Sequence, residues 1–359
     1  MSTETVQRDE EHYERLLAEA AAVRGVSLRQ DAWRRLRKNR VAMFSLWTIA
    51  VISVSAFLTP FLPLQGPRFV DTSRAFQPPT LTESASIDRD RLEVQFGELG
   101  FFNRQLLNAR LAVFGEWAIP SICGTDELGR DLLARLFWGA RISLIVGIVA
   151  TLVSLVIGVS YGATSGFLGG NIDNLMMRII DVAYSVPFIF VVIFILTILN
   201  ADANRAWMES AGIDQIFVFF IVVGAIYWLT MARVVRGQVI SLKNEQFVEA
   251  ARTIGANRAR IIFIHLVPNL LSVVIVYLTL TIPRVMLFEA FLSFLGLGVE
   301  APDVSWGVLA NTGFKVITPI RVYWWLITFP GIALGVTLFA LNFLGDGLRD
   351  AFDPRLKNR

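Results

Sequence analysis

The sequence predicts an all-α membrane protein of six transmembrane helices with a long outer loop, and three observations carry that expectation. The 359 residues are 54% hydrophobic and only 18% charged, whereas soluble domains run near half apolar and about a quarter charged. The apolar residues gather into blocks of membrane-crossing length, rather than spreading through the chain in the short periodic patterns of a soluble core. Basic residues then collect at those block ends that six crossings would place on one side.

A helix rises 1.5 Å per residue, so about 20 apolar residues cross a hydrocarbon layer about 30 Å thick. Residues 1–40 are polar, and the first apolar block begins at Val41. No cleavable signal peptide is therefore expected, and the block 41–64 reads as an anchor. The further blocks are Ile142–Thr164, Leu175–Leu199, a short one at Ile216–Met231, one starting near Leu270, and Val322–Leu344. Pro283 is expected to break the fifth, giving a span followed by an outer interfacial helix.

Orientation follows from the flanking cations. Arg34, Arg35, Arg37, Lys38 and Arg40 precede the first span, and Arg233, Arg236, Lys243, Arg252, Arg258 and Arg260 lie between the fourth and fifth. Arg349, Arg355, Lys357 and Arg359 close the chain. The rule that basic loops stay inside places these regions and both termini in the cytoplasm. Residues 1–24 read as a short amphipathic helix. The stretch 31–40 should lie on the inner surface, with Trp33 and Leu36 toward lipid and its arginines toward anionic head groups or simply setting topology.

The segment 65–140 is too polar to cross lipid and too long for a simple turn. Pro78-Pro79 and the run 80–90 suggest irregular structure there. Leu128, Leu132 and Leu136 form an i, i+4, i+8 stripe suited to an interfacial helix, with Thr125, Asp126 or Asp131 as caps. Between the fourth and fifth spans, Phe247–Ile254 reads as one short helix, whose Ala250 and Ala251 allow close approach of another surface. Gly255 stops it. Asn257 caps a second short helix carrying Ile261, Ile262 and Phe263, and Pro268 opens the next span. A generic amphipathic loop remains open on these residues alone.

Several function classes find no support. The net charge of +3 is not gathered with aromatics on one face, so nucleic acid is not an expected partner. One cysteine, Cys123, permits no intrachain disulfide, and His12 and His265 lie too far apart for an obvious metal set. Cys123 is taken as a small residue on the outer side. Ser165 has no base placed beside it by sequence. No Gly-x-x-x-x-Gly-Lys-[Ser/Thr] run is present to cradle nucleotide phosphates. Asp173, Arg178 and Asp181, at the inner edge of the third span, are expected to pack against neighbouring helices or the 245–268 segment, with a proton relay as the alternative.

The order Glu249-Ala250-Ala251, three residues, Gly255, twelve residues (256–267) and Pro268 resembles the cytoplasmic signature of ABC-importer permeases. That family usually has an aliphatic residue where His265 stands and Leu where Val267 stands, but His265 before Leu-Val-Pro-Asn is similar to the peptide-importer branch. Gly124-Thr-Asp with Gly129-Arg-Asp131, Gly166-Phe-Leu-Gly-Gly170, Phe288–Gly298 with Ser305-Trp-Gly307, and Gly345–Pro354 resemble the C-type permease of oligopeptide importers. The likeness covers about Arg29–Arg355 and is weakest over 65–120.

The resemblance implies a five-helix transporter core at 141–345, a cytoplasmic coupling segment at 245–268 and a cytoplasmic tail at 346–359. Glu249, Ala250, Ala251, Gly255, Asn257, Arg258, Ile261 and Pro268 would be its ATPase-coupling residues, with the helix after the glycine docking into the ATPase. It also implies a B-type permease subunit, two ATP-binding subunits holding ATP and Mg, and an extracytoplasmic peptide-binding protein. No cofactor is expected on this chain. Arg284 and Glu289, charges in or beside the fifth span, are candidate substrate-pathway residues; the alternative is a salt bridge with each other or with a partner. The competing class is an ion-gradient-driven secondary transporter, which would want inverted repeats and intramembrane acidic pairs. An intramembrane enzyme would want a nucleophile–base or metal set.

Overall fold

The apolar blocks become long helices because a backbone in lipid must satisfy its own polar groups. A computed structural model describes residues 28–81, 85–97, 99–199, 201–211, 215–299 and 302–352. The expected helix within 1–24 and the basic residues Arg355, Lys357 and Arg359 lie outside these. Among the described residues, five helices are long and apolar enough to cross a membrane, and a bent pair brings the number to six.

The chain opens with α1 (Leu28–Lys38), then α2 (Arg40–Phe57), whose start is capped by the Asn39 side chain accepting from the Ala42 N–H. Leu36 corrects the expectation of a lipid-facing residue. It is buried with Ala32 and Ala42 against Ala351, Leu348 and Phe352 at the far end of the chain, while Trp33 is exposed. The outer segment is more regular than expected. It carries α3 (Phe101–Phe114) and a two-residue antiparallel pairing of β1 (Ala85–Ser86) with β2 (Trp117–Ala118) around a small core of Ile87, Phe96, Leu107 and Ala118. Arg110, fully buried, donates to the carbonyls of Gly115 and Trp117 and closes this unit.

No separate interfacial helix precedes the second span. Leu128 sits in a turn, and α4 runs unbroken over Leu132–Leu168. Asp131 caps α4 by accepting from the Ala134 N–H. Buried Asp126 does something else: it accepts from the N–H groups of Leu128 and Arg130 and pairs with the Arg130 and Arg135 side chains, fastening the turn to the helix. Cys123 is buried in the main core cluster rather than merely outer.

The third block is not one straight span. Helices α5 (Gly170–Ser185) and α6 (Phe188–Leu199) meet at 82° across Val186-Pro187. A short α7 (Asp202–Ser210) follows. The fourth span is longer than the apolar block suggested. Helix α8 covers Gln215–Leu242, because Val235 and Val239 keep an inward face beyond the purely apolar run.

The glycines of Gly158-x-x-x-Gly162-x-x-x-Gly166 on α4 let α8 approach its backbone. A Cβ on Gly166 would lie 2.8 Å from the Arg236 carbonyl, and one on Gly158 within 2.6 Å of Met231. Small residues at this spacing are how membrane helices pack closely.

After α9 (Gln246–Thr253), a single helix α10 runs over Arg258–Phe294 for 37 residues. It contains a π-helical stretch, Ile261–Leu266, and passes straight through Pro283. The expected break there is therefore corrected. Helix α11 (Trp306–Lys315) and α12 (Trp325–Phe352) complete the chain, α12 reaching further inward than the apolar block 322–344 implied.

Candidate functional site: the α9 elbow and the charged cleft beside it

Between α8 and α10 the chain folds into an elbow. Helix α9 is amphipathic: Val248 and Ala251 are buried with Val239, Ile261, Ile262 and Leu266, while Phe247, Glu249, Ala250, Arg252 and Ile254 are exposed. Phe247, Ala250 and Ile254 share one outward stripe at i, i+3, i+7, and Ile254 is 83% exposed. Gly255 ends the helix at φ 83°, a conformation glycine adopts without penalty. The Ala256 N–H then returns to the Ala251 carbonyl at 3.0 Å, the long-range bond of a Schellman stop. Asn257 accepts from the Arg260 N–H at 2.8 Å and starts the next helix.

The expected second short helix does not exist as a separate element. Residues from Arg258 onward are the first turns of α10 itself, because its hydrogen-bond ladder carries on through the π-helical stretch into the span. Of the predicted residues, Glu249, Ala250, Gly255, Asn257, Arg258 and Pro268 are exposed. Ala251 and Ile261 face the interior instead, so only Ala250 of the alanine pair leaves room for an outside surface. The elbow is braced from behind: Lys243 donates to the Gly166 carbonyl at 3.2 Å, and the Arg252 guanidinium lies 5.5 Å from the centre of the Phe167 ring.

Beside the elbow, α5 and α8 are joined by charge. Arg236 holds Asp173 through two hydrogen bonds of 2.6 and 2.7 Å, and Asp173 also accepts from the Ser165 hydroxyl. Ser165 thus serves a carboxylate on the neighbouring helix. Arg233 meets Asp181 at 2.7 Å and lies over the Tyr184 ring. Both aspartates pack against a neighbouring helix, as expected; Arg178 has no such partner among the described residues. Two sequence signals point to this cleft: arginines continuing past the apolar end of the fourth block, and aspartates spaced along the third.

Arg284 and Glu289 are not brought together. Arg284 is exposed, with its carbonyl accepting from the Tyr227 hydroxyl. Glu289 is fully buried, and Ser293 donates to it at 2.7 Å. Asn311 bonds the Ser293 carbonyl, so Glu289 belongs to a polar nest under α11 rather than to an open route. The alternative of a salt bridge between the two is not realised. Among the described residues no group of three or more His, Cys, Asp or Glu side chains is placed to hold a metal ion.

These features define a class: a multi-span membrane protein with a bent third span and an amphipathic elbow between its fourth and fifth spans. Residues 155–358 match the family described as binding-protein-dependent transport system inner membrane component, and residues 27–79 match the N-terminal TM domain of oligopeptide transport permease C. The chain belongs to the binding-protein-dependent transport system inner membrane component family.

Among curated proteins it is 40% identical to the dipeptide transport system permease protein DppC of Bacillus subtilis, over 92% of this chain and 87% of that one. It is 40% identical to the oligopeptide transport system permease protein OppC of Haemophilus influenzae over 94% and 92%. The Escherichia coli K12 OppC is 39% identical over 94% and 95%. Among solved structures, an inward-facing form of the MetNI methionine ABC transporter aligns with TM-score 0.42 and 15% identity, over 59% of this chain and 94% of that one. The resemblance read from Glu249 to Pro268 and the flanking motifs is borne out by the family and curated-relative matches, and the gradient-driven alternative is not favoured.

Proposed function

We propose that this chain is the permease subunit of an ATP-driven importer of peptides in the bacterial inner membrane, forming half of the translocation pathway. The dipeptide and oligopeptide names of its relatives support the substrate class. The chain has no phosphate-binding loop, so ATP and Mg are assigned to two partner ATPase subunits. A B-type permease completes the pathway, and an extracytoplasmic binding protein delivers the peptide. The termini and the elbow lie on the cytoplasmic side, where the clustered arginines belong.

The single observation that carries the mechanism is the elbow: a short helix buried on one face, bare and apolar on the other, and linked through Gly255 and Asn257 to a 37-residue helix. An ATPase cleft would grip Phe247, Ala250 and Ile254, with Glu249, Arg252 and Arg258 at the rim. Because α10 begins at the elbow without a break, displacement of α9 tilts a transmembrane rod directly. ATP closure would draw two such elbows together and open the spans outward. A nucleotide can shift that equilibrium only by binding the two states unequally.

The test is co-purification in mild detergent. The native complex should carry both ATPase subunits, and Ile254→Asp should lose them while its own melting temperature stays unchanged. Retention of the ATPases by a correctly inserted Ile254→Asp variant would overturn the docking role of α9.

A further inference from the structure

The cleft between α5 and α8 has a character the elbow does not explain. It is an open cleft of about 730 Å³ lined by Asn174, Met177, Arg178, Asp181, Arg233 and Arg236. Ligand cavities commonly measure 300–1,000 Å³. Its walls belong to segments that pass for membrane spans, yet they hold three guanidiniums and, counting Asp173 behind Arg236, two carboxylates. Ionisable groups at the end of such spans need water or a water-filled cavity, and where they line membrane segments they mark solute routes.

The geometry of α5 sorts its faces. Ile172, Leu175, Ile179 and Val182 form an exposed aliphatic stripe. Asp173 and Ile180 are buried toward the bundle, and Asn174, Met177, Arg178 and Asp181 turn to the cleft. At 100° per residue the aliphatic stripe and the cleft face lie well over a quarter-turn apart, so one surface suits an apolar neighbour and the other water. The charges also differ in commitment. Asp173 and Arg236 are locked together in a two-bond pair, whereas Asp181 and Arg233 meet by one bond in an exposed position, with side chains 55% and 46% accessible. Arg178 is exposed and has no anionic partner among the described residues.

We infer that this cleft is the water-filled vestibule at the elbow end of the pathway, and that Arg178, flanked by the Asp181–Arg233 pair, engages the terminal carboxylate of a passing peptide. The identification of the solute rests on the peptide-import reading above; the water-filled character of the cleft does not. A guanidinium is well matched to a carboxylate, offering paired donors in one plane. The exposed aspartate beside it complements the opposite, ammonium end. An exposed one-bond pair is weak, so it can open and close as the solute moves through. The 82° bend between α5 and α6 turns the cleft-lining helix away from the line of its apolar continuation, which keeps the charged face at the mouth.

The experiment has two arms on the assembled complex, labelling in inside-out vesicles and peptide uptake in intact cells. In the first, single cysteines are placed by Met177→Cys, Asn174→Cys, Ile179→Cys and Val182→Cys, the native Cys123 being buried. A membrane-impermeant, charged thiol reagent should modify the first two at least tenfold faster than the last two. Equal rates would overturn the vestibule. In the second arm, uptake of a tripeptide with a free C-terminus is compared with uptake of its C-terminal amide. Arg178→Gln should lower the free-acid peptide at least threefold and leave the amide unchanged, with Arg178→Lys restoring most of the difference. An equal loss of both, or no loss, would overturn the carboxylate contact. If the native complex carries neither peptide, the peptide-import reading fails while the labelling arm still reports on the cleft.

Discussion

Arg236 on α8 grasps Asp173 on α5 through two hydrogen bonds, at 2.6 and 2.7 Å, with the Asp173 side chain only 10% accessible. The pair closes the elbow end of the bundle, because Asp173 also takes the hydroxyl of Ser165 from α4. Three helices thus meet at one carboxylate. Asp173→Ala strands the Arg236 guanidinium and the Ser165 hydroxyl without their shared acceptor, and loss of one partner from a buried pair costs about 3–5 kcal/mol. Since Arg236 is a third accessible, the lower end of that range is expected. Detergent melting of the purified complex should fall accordingly, and Arg236→Met combined with Asp173→Leu should recover part of the loss.

Gly162 predicts a packing failure. A Cβ there would run into the Ala232 carbonyl on α8, a backbone atom that cannot swing aside. Overpacking of this kind costs about 1–3 kcal/mol. Gly162→Ala should lower the melting temperature, and Gly162→Leu should abolish recovery of the folded chain. Gly237, with nothing near its added Cβ, provides the control: Gly237→Ala should be neutral or slightly stabilising.

The outer end of α4 carries a titratable cap. Burial pushes Asp131 up from 3.8 to about 6, although the Ala134 N–H, Ser121 and Arg74 pull the other way. Its folded value lies above its unfolded one, so the folded state binds the proton more tightly. Stability therefore falls as pH rises from about 4 to about 6, and this contribution is constant above that window. Asp131→Asn keeps an oxygen for the cap and cannot ionise. Melting curves of the variant should be flatter than those of the native chain across this range; identical slopes would rule out Asp131 as the titrating group.

Gly255 separates backbone from side-chain effects at the elbow. Nothing lies within 4 Å of an added Cβ, so only its φ of 83° resists substitution. A left-handed conformation costs an ordinary residue about 1–2 kcal/mol, and asparagine visits it more readily. Gly255→Val should strongly reduce uptake while insertion and ATPase abundance stay normal. Gly255→Asn should retain most transport.

Much of this architecture was legible from residues. The apolar blocks located every span, and Gly255 and Asn257 marked the ends of helices as their backbone chemistry dictates, whereas Pro268, expected to open the fifth span, lies inside α10. The misses share a cause: local rules gave way to tertiary packing. Pro283 looked like a break, but a proline inside a packed membrane helix is tolerated because neighbours compensate its missing donor. The separate helix after Asn257 was inferred from a cap, and a cap fixes where a helix begins and says nothing of where it ends. Arg284 and Glu289 looked paired because they are near in sequence, yet five positions along a helix put them on different faces. The Gly158, Gly162, Gly166 spacing is itself a packing signal in the sequence.

The unbroken α10 has a geometric corollary. At 1.5 Å per residue its 37 residues make a strut of ~55 Å. A rotation of ~5° at the inner foot sweeps the far tip through ~5 Å, by simple leverage on that length. Gating on the outer face would therefore need only a modest stroke from the motor, and the π-helical turn near the foot is a place where such a stroke could be absorbed instead of delivered.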